Sequence, residues 1–147
     1  MEKVKIEKKL KMQYKKFVGL NDDIIGIRTV IFVEEQGFKD EFDEIDKKCS
    51  HIVLYDNDKP IATCRYFLQN GIYHIGRVAI VKDYRGKHLG NKIMNIAEQE
   101  IKNEGGDKIE VSAQVRVKDF YKKLGYKEVG GIYFDEYCEH ITMVKEL

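Results

Sequence analysis

The chain has little of several things that steer a fold. It carries one proline, no tryptophan and three cysteines in 147 residues. A single proline leaves no proline-rich linker, and no low-complexity tract or internal repeat divides the chain, so one domain over 1–147 is expected, long enough to bury a core. Cys49, Cys64 and Cys138 are odd in number and widely spaced, with no Cys-x-x-Cys pair. That composition suits free thiols in a reducing cytoplasm better than a disulfide or zinc framework. The four histidines, 51, 74, 88 and 140, have no ligand spacing, so no metal is expected. Neither sign of charge dominates: 26 Lys and Arg face 25 Asp and Glu, which gives no reason to expect nucleic acid or membrane as partner. No apolar run reaches the roughly 18 residues of a membrane span. The opening Met-Glu-Lys-Val-Lys-Ile has no apolar h-region, so no secretory leader is expected.

What is present is periodic. Seven lysines fall in the first sixteen residues. Val4, Ile6, Leu10, Met12 and Tyr14 occupy even positions there, and most of the lysines odd ones. Period two predicts a half-buried strand with a solvated lysine face rather than a nucleic-acid arm. Asn21 followed by Asp22 and Asp23 is a helix start, Ile24, Ile27 and Ile31 keep helical spacing, and Gly37 is a stop. Residues 38–50 read as a solvated acidic loop. Strands follow over 51–55, 61–68 and 72–81, the last two joined at Gln69-Asn70-Gly71, a strong hairpin signal. A helix over about 88–104 buries Leu89, Ile93, Ile96, Ala97 and Ile101. A strand over 108–113, a helix over 116–124 and strands near 126–132 and 138–145 complete the order β-α-β-β-β-α-β-α-β-β. Within it, 72–113 is a right-handed parallel crossover.

The stretch of most chemical interest runs from Ile75 to Gly90. An apolar strand passes through a charged turn into Arg85-Gly86-Lys87-His88-Leu89-Gly90, which opens a helix. Helix N-termini present unpartnered N–H groups, and small residues let an anion approach them. The loop therefore reads as a diphosphate cradle. It is not a P-loop, since no Gly-Lys-Ser/Thr is present, and its glycine spacing is not that of a dinucleotide fingerprint.

Val78-Ala79-Ile80-Val81, then Tyr84 to Gly90, then Phe120-Tyr121-Lys122-Lys123-Leu124-Gly125-Tyr126, together resemble the GNAT superfamily of acetyl-CoA-dependent N-acetyltransferases. Arg85 and Gly90 match the ends of its Gln/Arg-x-x-Gly-x-Gly/Ala loop, and His88 stands where the middle Gly is usual. Arg28-Thr29, Phe32-Val33, Glu35-Gln36, His51, Ser112-Ala113-Gln114 and Phe134–Met143 extend the resemblance to the ElaA/YjcF-like branch over most of the chain. It implies an α+β fold, with a mixed, mostly antiparallel sheet flanked by helices on both faces.

The resemblance also implies a chemistry: transfer of acetyl from acetyl-CoA to a primary amine by direct attack in a ternary complex. The amides of Arg85, Gly86, Lys87, His88, Leu89 and Gly90 would hold pyrophosphate. Val78, Ala79 and Ile80 would hold the pantetheine arm as an added strand, with the amide of Val78 or Ala79 facing the thioester oxygen. A bulge would splay this strand from the next and open a slot for the arm. Gln114 joins the cofactor-binding residues, and Tyr121 would protonate the departing thiolate. Glu34, Glu35, Asp43, Asp46 and His140 are candidates for the base, with Glu35 and His140 preferred. The acceptor is a small-molecule or peptide amine, and a homodimer is one assembly the family offers. The rival from another class is a non-catalytic acyl-CoA sensor on the same fold.

Overall fold

The computed structural model describes residues 12–147. Val4, Ile6 and Leu10 of the expected first strand lie outside them. Seven strands form one sheet in the order β1-β2-β3-β4-β5-β7-β6. They are β1 (Met12–Val18), β2 (Ser50–Asp56), β3 (Lys59–Gln69), β4 (Ile72–Ile80), β5 (Lys108–Gln114), β6 (Lys127–Asp135) and β7 (Cys138–Glu146), and the helices are α1 (Asp22–Arg28), α2 (Leu89–Asn103) and α3 (Lys118–Lys123). The element order matches the one expected, and β4 with β5 is the parallel pair, bridged by α2.

Local sequence explains most boundaries. The Asn21 side chain accepts from the Ile24 amide at 2.9 Å and caps α1. Past Arg28 the same helical body widens into a π-helical segment, Thr29–Glu35, in which Gln36 N–H reaches back to the Ile31 carbonyl. Gly37, at φ +79°, ends it. Asn70 and Gly71, at φ +51° and +77°, form the tight turn joining β3 to β4.

The sheet is covered on both faces. Strand alternation sends Ile52 and Leu54 toward α2, where they pack with Ile93, Ala97 and Ile101. It sends Val53 and Tyr55 to the opposite face, against Ile24, Ile27 and Ile31. Burying each such aliphatic side chain contributes about 1.5–3 kcal/mol. The outer strand β1 departs from expectation at Tyr14, which is 44% exposed. Among the described residues it is an edge strand, overhung by the rim of α2, whose Glu100 accepts hydrogen bonds from Tyr14 Oη and Lys16 Nζ. No helix among the described residues is long and apolar enough to cross a membrane.

Candidate active site

Registered pairing between β4 and β5 covers only Tyr73–Ile75 and Ile109–Val111. Beyond it the strands diverge. On its other side β4 is bulged: Ala79 faces Thr63 and Gly76 faces Arg65, so Arg77 and Val78 together oppose Cys64. Arg77, at φ +50°, makes the bend. Val81 N–H donates to the Ile61 carbonyl on β3. Amides along a strand turn to alternate edges, so the amide of Ala79 also faces β3, while those of Val78 and Ile80 face the gap. Of Val78 and Ala79, the two residues named for the thioester, it is Val78 that lines the gap. The gap is a cavity of about 260 Å³ whose walls include Phe32, Gln36, Val78, Gln114, Tyr121 and His140.

At the end of β4 the chain enters the loop 85–90. Gly86 and His88 both take the left-handed conformation, φ +79° and +60°. This is why glycine suits the middle position: the backbone there is one an L side chain adopts at a cost of about 1–2 kcal/mol. His88 is the N-cap of α2 and makes no side-chain cap, so the first amides of α2 have no partner from that side chain and are open to an anion. Arg85 is committed elsewhere. Its Nε donates to the Ile80 carbonyl at 3.0 Å, and its Nη1 lies 2.8 Å from Glu35 Oε2. Lys87 lies over the Tyr84 ring, 5.2 Å from its centroid.

Tyr121 is 8% exposed and lines the cavity. Its ring meets Phe120 and Tyr126 edge-on, at centroid distances of 5.0 and 5.8 Å. Burial pushes its phenol well above the ordinary value, with the nearby Cys64 thiol adding to the shift, so the hydroxyl keeps its proton at neutral pH. His140, on β7, lines the same cavity. Its Nδ1 lies 3.0 Å from the Cys138 carbonyl. A carbonyl only accepts, so Nδ1 carries the hydrogen and Nε2 of the neutral ring keeps its lone pair. Gln114 Nε2 donates to Gln36 Oε1 at 2.9 Å, joining β5 to the end of the π-helical segment. The hydroxyls of Ser112 and Tyr133 are hydrogen-bonded to each other nearby.

The other candidate bases lie elsewhere. Glu35 does not line this cavity and is ion-paired with Arg85. The acidic loop is not simply solvated: Glu41 is 4% and Asp46 0% exposed. Arg28 donates to both Asp46 oxygens at 2.6 and 3.1 Å and to Glu41 Oε2 at 3.0 Å. Arg65 binds Asp43 at 2.7 Å and Asp46 at 2.8 Å. Burial alone would raise the Asp43 and Asp46 carboxyls, but the guanidiniums of Arg65 and Arg28 overcome it and hold both below the usual range. Neither is free to take a proton from an amine. The sequence reading missed this buried cluster. Its signal was there in Arg28, set on the apolar face of Ile24, Ile27 and Ile31, and in Arg65, inside the apolar strand 61–68: a guanidinium at a core position requires buried acids.

Asp46, Cys49 and His51 converge to within 4.8 Å, but the Asp46 oxygens are taken by arginine. Burial also pushes the Cys49 thiol up to about 11. This donor set suits a hydrogen-bonded core better than a cation.

Comparison with known proteins agrees with the geometry. Residues 12–147 match the sequence model of a family described as Acetyltransferase (GNAT) domain. The uncharacterized N-acetyltransferase YjcF of Bacillus subtilis (strain 168) is 31% identical over 127 residues, 84% of this chain and 91% of YjcF. Among solved structures, Escherichia coli ElaA superposes with a TM-score of 0.83 at 23% identity, over 92% of this chain and 99% of ElaA. An acyl-CoA N-acyltransferase from Pseudomonas aeruginosa superposes with a TM-score of 0.82 at 24% identity, over 91% and 99%.

Proposed function

The chain belongs to the GNAT acetyltransferases, and from that premise we propose that it moves an acetyl group from acetyl-CoA to a primary amine by direct attack within a ternary complex. One observation carries the reading. The diverging edge of β4, the buried phenol of Tyr121 and the ring of His140 all line one cavity, with the uncapped start of α2 following directly on β4.

The residues present fit the co-substrate. The left-handed Gly86 and His88 and the open amides of α2 offer a concave cradle for pyrophosphate. The Val78 and Ile80 edge offers backbone partners to an extended pantetheine arm. Acetyl-CoA supplies a thioester carbonyl and a thiolate leaving group. His140 Nε2 removes a proton from the ammonium form of the acceptor. The freed amine then forms the new C–N bond, and the Val78 amide stabilises the negative charge that develops on the carbonyl oxygen. As the C–S bond breaks, the Tyr121 hydroxyl donates its proton to sulfur; the nitrogen, positively charged after attack, loses its second proton through solvent, which reprotonates Tyr121, and the His140 imidazolium releases its proton to bulk water.

Thiol release from acetyl-CoA across a panel of polyamines, amino sugars and peptide N-termini tests this reading. Turnover with at least one amine, lost in Tyr121→Phe while calorimetric CoA binding survives, is the expected result. Tight CoA binding with no turnover on any amine would move the assignment to an acyl-CoA sensor. An absence of CoA binding at millimolar ligand would remove the co-substrate itself.

A further inference from the structure

Arg77 is a long side chain held at φ +50° in the middle of a strand, a backbone region that L residues leave unless something holds them there. What holds it is visible. Its Nε and Nη2 donate to the Glu41 carbonyl at 3.2 and 3.1 Å. Nε also lies 3.1 Å from Glu41 Oε1, and Nη2 lies 3.6 Å from Asp43 Oδ2. Glu41 and Asp43 are in turn fixed by Arg28 and Arg65, and both of those arginines meet on Asp46. Three guanidiniums and three carboxylates thus form one charge-balanced cluster, with its most buried members, Arg28 and Asp46, fully enclosed. Arg77 links this cluster to the bulge that turns β4 beside the cavity.

We propose that Arg77 is a positioning residue: anchored on Glu41 and Asp43, it holds the β4 bulge that directs the Val78 amide into the gap between β4 and β5. Arg77 itself touches no reacting atom in this assignment. The inference rests on the acetyl-transfer reading, because it names the amide that meets the thioester oxygen.

The test needs no knowledge of the acceptor. In ¹⁵N-labelled protein, the Val78 amide resonance is compared between the CoA and the acetyl-CoA complexes, which differ only by the acetyl group. In the unsubstituted protein a clear acetyl-dependent shift is expected. Arg77→Ala loses the anchor and keeps the backbone penalty, so this shift should fall by more than half. Arg77→Gly accepts φ +50° freely, so it should retain more of the shift than Arg77→Ala. Once an acceptor is found, kcat should fall by about tenfold or more in Arg77→Ala, with KM for acetyl-CoA within about twofold. A purely structural role would not produce that split. Arg77→Lys is the reserve should Arg77→Ala not fold, and its shift is also expected to fall. An undiminished shift in a folded Arg77→Ala, or an equal loss in Arg77→Ala and Arg77→Gly, would overturn the proposal. If the unsubstituted protein binds both ligands with no difference at Val78, the oxyanion contact fails instead. If it binds neither, the acetyl-CoA reading fails.

Discussion

Gly90 lies directly against Phe120: a methyl group built on this glycine would sit 3.1 Å from the Phe120 Cε1 and Cζ atoms. The contact joins the first turn of α2 to α3, one residue before Tyr121. It explains the last small residue of the 85–90 loop by close approach rather than by backbone conformation, since Gly90 is absent from the positive-φ positions.

Gly90→Ala is therefore expected to displace Phe120 and, through it, Tyr121. Overpacking of about 1–3 kcal/mol outweighs the helix-propensity gain of about 1 kcal/mol or less. The net loss should lower the urea midpoint, and thiol release should fall with it.

His88→Gly should behave in the opposite sense. Removing a side chain from the left-handed conformation relieves about 1–2 kcal/mol of strain, part of which the greater freedom of glycine in the unfolded chain takes back. Thermal denaturation should show equal or slightly higher stability. Calorimetry should show CoA affinity retained, because the proposed cradle is made of amides that the substitution leaves in place.

His140→Asn should leave CoA binding unchanged and lower turnover by about 10²–10⁴-fold. Without an internal base, only the acceptor already present as free amine reacts. Log kcat/KM should then rise with a slope near one as pH approaches the pKa of the amine. A variant with the pH profile of the parent would remove His140 from the base role.

The acid cluster makes a stability prediction with a definite sign. Guanidiniums hold the Asp43 and Asp46 carboxyls below their unfolded value, which is about 3.9. Their contribution is present in full above that pH and is lost as pH falls through the folded values. Asp46→Asn leaves two guanidiniums under-partnered and should cost about 3–5 kcal/mol at neutral pH. Its stability should also change less than the parent's below pH ~4, as read from urea unfolding at a series of pH values.

The sheet, its order of elements and the crossover through α2 were legible in the sequence because period two and period 3.6 are both clear here, and because Asn21, Gly37 and Asn70-Gly71 mark ends by their own backbone chemistry. The loop 85–90 was legible for the same reason. The acidic loop was not. Hydropathy makes Asp43 and Asp46 look solvated, and only their long-range partners Arg28 and Arg65, 18 and 22 residues away, turn them into core. The pairing of Glu35 with Arg85, about fifty residues on, was hidden likewise, since no local pattern reports which charge meets which across a fold. Tyr14 misled because alternation tells which face a residue points to, not how far the covering helix reaches.

The three-residue pairing of β4 with β5 has a mechanical meaning. β1 to β4 form one leaf of a book and β5, β7 and β6 the other, and the spine is short. Among the described residues, two polar ties cross the opening beyond the spine: Gln114 to Gln36, and the Glu136 carboxylate on the β6–β7 turn to the amides of Lys39 and Asp40. Neither tie belongs to the backbone ladder. Both ties lie on the wall of the cavity, so an opening there breaks side-chain contacts and leaves the strand registers intact, along the line where the proposed reaction brings its two substrates together.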